Sequence, residues 1–272
     1  MKRIVIFLFF VHYFVILPIG STNADTLDDI KKKGVLVVGV KVDYEPFGYR
    51  DGEGKIIGLE PELASDVAKR LAVKLELVPV TSANRMDFLR QGKIDLMIAT
   101  MSVTPEREKV VGVISPRYYA IQVALMADKT AGLQNETNLS GKTICSIKGA
   151  FFNETLKSNY THKDLHISNN ILDAEEALLR KECVAFAFDD ALLAYKKKTE
   201  PERWRDYDVV ILKEFDPVAF GIAVRKEDKD GAFGKMMSTI VTSWLNSGML
   251  LDLEKRWIGK NSLWLMAMRD KY

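Results

Sequence analysis

The sequence predicts an α/β fold of two lobes, each a mostly parallel sheet flanked by helices, joined at a hinge. Three observations predict it. Short β-branched runs alternate with amphipathic stretches over 35–100, the pattern of right-handed crossovers on a parallel sheet. The same pattern restarts at 143 and closes near 188. Two apolar segments, 120–126 and 219–224, link the units without a Gly/Ser-rich spacer, so the chain leaves the first unit once and returns once. Lobe 1 is therefore expected to be discontinuous, 25–124 with 219–260. Lobe 2 is placed at 125–218 and a C-terminal tail at 261–272.

Taken in order, the chain opens with Lys2 and Arg3, an apolar run from Ile4 to Ile19 broken by His12, and small residues up to Ala24. This reads as a secretory signal peptide over 1–24, because the run falls short of the ~20 apolar residues that a span requires. A strand is expected at 35–40, a helix at 60–71 with Leu63, Val67 and Leu71 on one face, and a strand at 75–80. A short helix at 85–89 stops at Gly92, and an inner strand follows at 95–100. Thr104 then caps a helix that has Pro105 at its first position. In the second unit, strands are expected at 143–147 and 183–188, with a helix begun by an Asp173/Glu176 capping box. Phe233, Met236, Met237, Ile240 and Trp244 recur at spacings of three and four. That stripe reads as the core face of a helix, and another helix is expected at 250–257.

Composition excludes several classes of function. Apolar residues make up 47% and charged residues 28%, with a formal net charge of +2. The chain can bury a core, and nothing points to nucleic acid. Histidines at 12, 162 and 166 lack partners at ligand spacing, so neither a metal nor a cofactor is expected. Cys145 and Cys183 are equally compatible with one disulfide and with two buried thiols.

In an open α/β sheet, ligands bind beyond the carboxyl ends of the strands, and the residues there are distinctive. Lys41, Tyr44 and Phe47 follow the first strand, Ser82 and Arg85 the second, and Thr100, Met101, Ser102 and Arg107 the third. Gly149, Ala150 and Phe151 follow the first strand of the second unit, and Asp189 follows its last. A cation in one lobe opposite a carboxylate in the other is what a zwitterionic α-amino acid requires. Arg107 is the candidate for the carboxylate, Asp189 for the ammonium, and the aromatic rings for the aliphatic part. Lys41 and Arg85 are two further cations at these strand ends.

These residues stand in motifs: Gly-Val-Lys-Val-Asp-Tyr-Glu-Pro-Phe at 39–47, Gly-Leu-Glu-Pro-Glu-Leu-Ala at 58–64 and Val-Pro-Val-Thr-Ser-Ala-Asn-Arg at 78–85. Further along come Gly-Lys-Ile-Asp-Leu-Met-Ile-Ala-Thr at 92–100, Thr-Pro-Glu-Arg at 104–107 and Ala-Phe-Asp-Asp-Ala-Leu-Leu-Ala at 187–194. In these motifs the chain resembles the periplasmic amino-acid-binding proteins that feed ABC importers, and most of all their glutamate/aspartate-binding branch. The resemblance implies a type II periplasmic-binding-protein fold with two hinge strands. It also implies a monomer in the periplasm that delivers a polar, acidic amino acid to an inner-membrane permease, with Lys41 and Arg85 at the positions that answer the ligand's side-chain carboxylate. One departure stands out. Lys148-Gly149-Ala150-Phe151-Phe152 carries two rings where most relatives have Gly followed by Ser or Thr.

Two other functions fit the same fold. The chain also resembles the periplasmic cyclohexadienyl dehydratases, in which case Asp43 and Glu45 are the first-lobe acids to nominate. A sensor docking on a receptor would have the same pocket.

Overall fold

The computed structural model describes residues 25–133, 139–159 and 164–272. The expected signal peptide, and with it His12, lies outside the described residues, as does His162. No described helix is long and apolar enough to cross a membrane.

The described chain begins with the helix Thr26–Lys33, capped by the Asp25 carboxylate and ended by Gly34 at φ +68°. Asp25 also accepts from the backbone N–H of Ala232, 207 residues later. The strand Val35–Val40 follows as the hub of the first sheet, whose order is Lys74–Pro79, Val35–Val40, Leu96–Met97, Ala223–Val224, Gly112–Val113. The first three strands run parallel, and Ala223–Val224 lies antiparallel between its two neighbours. Leu63, Val67 and Leu71 of the helix Leu59–Leu71 are buried as the spacing predicts. The inner strand is shorter than expected, Leu96–Met97 rather than 95–100. Ile98 still donates to Gly39, but Thr100 turns to φ +46° and ends the extended run.

The second sheet repeats the plan, in the order Asp164–Ser168, Thr143–Ile147, Ala185–Asp189, Val123–Asp128, Tyr207–Ile211. Val123–Asp128 is antiparallel to both of its neighbours. The two sheets are joined where Tyr119–Ile121 pairs antiparallel with Val218–Phe220. The helix Ile171–Leu179 is capped by the side chain of Asn170, which accepts from the N–H of Asp173. Asp173 is therefore the third helical residue and not the cap. Cys145 and Cys183, left open by the sequence, are joined in a disulfide with a Cα separation of 5.6 Å.

The last helices return to the first lobe. Phe233, Met237, Ile240 and Trp244 of Ala232–Asn246 are buried as predicted, with Met236 packed at the margin. The indole N–H groups of Trp244 and Trp257 donate to Asp66 at 2.6 Å and Glu62 at 2.8 Å, tying both C-terminal helices to Leu59–Leu71. The tail forms the helix Leu263–Lys271, capped by Ser262. Leu265 is buried against the core, while Leu263 faces solvent.

The Cys145–Cys183 bridge spans 38 residues of sequence, a closure that chain entropy values at about 4 kcal/mol. The double variant Cys145→Ser/Cys183→Ser is expected to lose about that much stability, read as a lower urea midpoint. An unchanged midpoint would contradict the entropic account.

Candidate functional site

Each strand that runs toward the other lobe releases its residues into the space between them. Beyond Val35–Val40, the Tyr44 hydroxyl crosses the gap and donates to Asp189 Oδ2 at 2.7 Å. Beyond Lys74–Pro79, Thr81 and Asn84 bond each other's backbone N–H groups and close a turn. That turn delivers Arg85 as the first residue of its helix, almost fully buried, with Nη1 donating to the carbonyl of Ala99.

Beyond Leu96–Met97 the chain alternates. Thr100 and Ser102 face the gap, and Met101 between them packs into the core with Val80, Leu89 and Ile94. Thr104 caps the helix Pro105–Val110 by accepting from the N–H of Arg107, with Pro105 at the first position, as the sequence predicts. The cap fixes the Arg107 backbone, and the guanidinium reaches back to Ser102 O at 2.8 Å and across to Gly149 O at 2.9 Å. Gly149 has φ +82°, and a Cβ there would lie 2.7 Å from Ser82 O. Only glycine allows the two lobes to approach so closely at this point.

Between the lobes remains a cavity of about 20 Å³, lined by Tyr44, Ser82, Arg85, Thr100, Ser102, Arg107, Ala150, Phe151, Phe152, Phe188 and Asp189. That is room for about one water molecule, so the lobes stand closed. Phe151 meets Phe152 edge-on at 5.2 Å, and Phe188 lies 5.2 Å from Tyr44. The two rings that replace the expected hydroxyl are thus part of the wall.

Four candidates lie outside this wall. Lys41 is buried, and its ammonium pairs with Asp43 at 2.9 Å. Phe47 packs edge-on against Tyr44, Tyr119 and Phe220 beneath the hinge. Met101 is core. Gly149 touches the site through its carbonyl. Phe152 and Phe188 join the wall although they were not among the candidates, because the end of an apolar strand looks the same whether it faces core or cavity.

Glu60 was missed as well. It is fully buried behind the wall, and its Oε1 accepts from the N–H of Thr100 at 2.6 Å and from the Tyr118 hydroxyl. Its position three residues before Leu63 and seven before Val67 put it on the buried helix face, a signal present in the sequence.

The site's electrostatics follow from its dryness. Desolvation raises Asp189 to about 7, assisted by Asp190 and opposed by the Tyr44 hydroxyl, Arg85 and Arg107. Burial likewise raises Glu60 to about 7 against the Tyr118 and Thr100 hydrogen bonds and the nearby cations Arg85 and Lys41. Burial also lowers Arg85 and Arg107, the latter further disfavoured by Arg85 itself. The wall therefore pairs two costly cations with one carboxyl, and a second carboxyl sits behind it.

Residues 36–260 match the family model of the bacterial extracellular solute-binding proteins, family 3. The chain belongs to that family. A glutamine-binding protein of Geobacillus stearothermophilus is 33% identical over 215 residues, covering 77% of this chain and 80% of the relative. A glutamate/aspartate import solute-binding protein of Escherichia coli is 27% identical over 238 residues, covering 82% and 76%. Among solved structures, an ancestral amino acid-binding protein, a precursor of cyclohexadienyl dehydratase, superposes with a TM-score of 0.76 at 26% identity, covering 86% of this chain and 99% of that one. The two-lobed fold of this solute-binding protein also matches that of a solute receptor for L-cysteine of Neisseria gonorrhoeae, with a TM-score of 0.78 at 28% identity, covering 85% of this chain and 92% of that one.

Glu60, Asp189 and Glu175 are all raised to about 7, burial being the first cause in each. A carboxyl that holds its proton more tightly when folded adds stability at low pH and loses it as the pH climbs through the folded value. The urea midpoint is therefore expected to fall between about pH 5 and pH 8. A midpoint that rises over that window would contradict the burial of these acids.

Proposed function

We propose that this solute-binding protein captures an acidic L-amino acid between its lobes and delivers it to the permease of an ABC importer. The observation that carries the reading is the convergence of Arg107 from one lobe and Asp189 from the other, both buried, on one cavity. A guanidinium has five N–H donors, and the closed form engages two of Arg107's with carbonyls. Others are left for an α-carboxylate. Asp189 already accepts from Tyr44 and retains lone pairs for an ammonium. Arg85, on the same wall, is the group to answer a side-chain carboxylate. Lys41 is committed to Asp43 and acts at most through the field of that pair.

Magnitudes support the assignment. Charge-assisted hydrogen bonds contribute roughly 1.5–3 kcal/mol each, and micromolar affinity needs about 8 kcal/mol. Three or four such bonds suffice. Because 20 Å³ admits no amino acid, entry requires the lobes to part about the paired strands and close again on the ligand. The relatives named for glutamine and for glutamate/aspartate support a polar ligand. We also read residues 1–24 as an export signal that places a monomer in the periplasm, with hinge crossings separating 25–124 and 219–260 from 125–218.

The dehydratase alternative has less support. Asp43 is held by Lys41, and Glu45 pairs with Lys196 at 3.1 Å, so neither acid lines the cavity.

A thermal-shift screen of protein refolded free of carried-over ligand tests the reading. Glutamate or aspartate at a hundredfold over Kd is expected to add about 2.7 kcal/mol. Arg107→Ala should abolish the shift for every amino acid, whereas Arg85→Ala should weaken acidic ligands at least tenfold more than glutamine. Normal binding by the Arg107 variant would overturn the clamp.

A further inference from the structure

We propose that Glu60 takes up a proton when an acidic amino acid binds, so that the ligand's side-chain carboxylate takes over the balancing of the Arg85 charge. This inference rests on the ligand reading above and adds to it a specific role for a residue that the cavity wall conceals.

A count of buried charge motivates it. Lys41 is balanced by Asp43 at 2.9 Å. In the proposed complex Arg107 is balanced by the α-carboxylate and Asp189 by the α-ammonium. Arg85 and Glu60 remain, both fully buried, and Glu60 is the acid that most favours the charge of Arg85. With Glu60 ionised those two cancel, so a neutral polar side chain meets a neutral site. An acidic side chain brings one more negative charge into the same dry space, and an unbalanced buried charge is strongly disfavoured. A proton from solvent on Glu60 restores neutrality.

The geometry is suited to that exchange. Glu60 Oε1 takes both available donors, the Thr100 N–H and the Tyr118 hydroxyl. Oε2 is buried with no hydrogen-bond partner among the described residues, so it is the oxygen open to a proton. The groups facing Glu60 are Tyr118, Thr100, Arg85 and Lys41, with Tyr44 also within its field. Burial has already lifted it to about 7. A ligand carboxylate that draws on Arg85 removes one of the attractions opposing that lift and raises it further. Asp189 works in the opposite sense, since an ammonium beside it expels its proton. At about pH 8 both carboxyls start mostly ionised, and the uptake on Glu60 dominates.

Isothermal titration of the refolded mature protein with glutamate, in two buffers of different ionisation enthalpy at about pH 8, counts the protons. Close to one proton is expected per glutamate bound and close to none per glutamine. The Kd for glutamate should rise roughly five- to tenfold between about pH 7.5 and 8.5. Glu60→Gln should abolish the uptake and flatten that rise. Tyr118→Phe, which removes a donor to the carboxylate, should shift the rise to higher pH and serves where the glutamine variant fails to fold. Glutamate binding with no proton uptake and a flat profile would overturn the role of Glu60 while leaving the ligand reading intact. Undiminished uptake in Glu60→Gln would place the proton elsewhere and also overturn it. Failure of the wild type to bind glutamate or aspartate at any pH would overturn the ligand reading, and this inference with it.

Discussion

The paired strands Tyr119–Ile121 and Val218–Phe220 are the constraint on which the rest of the structure depends. Because the chain crosses between lobes twice at one place, the first sheet stays incomplete until Ala223–Val224 slots antiparallel between Leu96–Met97 and Gly112–Val113. The helix Thr26–Lys33 is similarly held by late residues, through Asp25 to Ala232 and Thr26 to Asp228. Such long-range closure makes the first lobe a high-contact-order unit. It also sets the site, since the two crossings leave the carboxyl ends of the parallel strands of both sheets facing each other. The ligand cleft is a consequence of the crossings.

Most of the fold was legible because its period signals are strong. Leu63, Val67 and Leu71 mark one helix face, and Phe233, Met237, Ile240 and Trp244 mark another. The cap at Thr104 with Pro105 behind it was readable to the residue, because a side-chain acceptor and a fixed φ leave little freedom there. Other ends were less constrained. Asn170 rather than Asp173 caps its helix, since several neighbouring polar residues can each accept from a free N–H. The inner strand was overextended, because nothing in Ala99-Thr100-Met101 announces the left-handed turn at Thr100.

The site was legible in part, for a related reason. Period two places Thr100 and Ser102 on one side and Met101 on the other, so Met101 was separable in principle. Lys41 and Phe47 lie in a segment of turns, where no period applies and the direction of a side chain is decided by its partners. Asp43 turns Lys41 away, and Tyr119 with Phe220 encloses Phe47. Phe152 and Phe188 are hidden by their resemblance to ordinary core, whereas Glu60 stands on the buried helix face that Leu63 and Val67 mark.

The contacts that hold the lobes together are made by the groups proposed to hold the ligand. Tyr44 bonds Asp189, and Arg107 bonds Gly149, each across the gap. The Glu45–Lys196 pair adds an ionic link outside the cavity. A ligand on the proposed reading adds its bonds to those the closed form already makes, and only the difference between its contacts to the closed and open forms moves the equilibrium. The Glu45–Lys196 pair is not displaced, so it favours closure by the same amount with any ligand and scales every affinity alike. On the proposed ligand reading, discrimination among ligands falls to Arg85, Glu60 and the ring of Phe151, Phe152 and Phe188. In a cavity this small, charge balance and ring volume act together. A side chain must both fit beside the rings and leave no buried charge uncompensated, and a ligand that meets one condition without the other cannot hold the lobes shut.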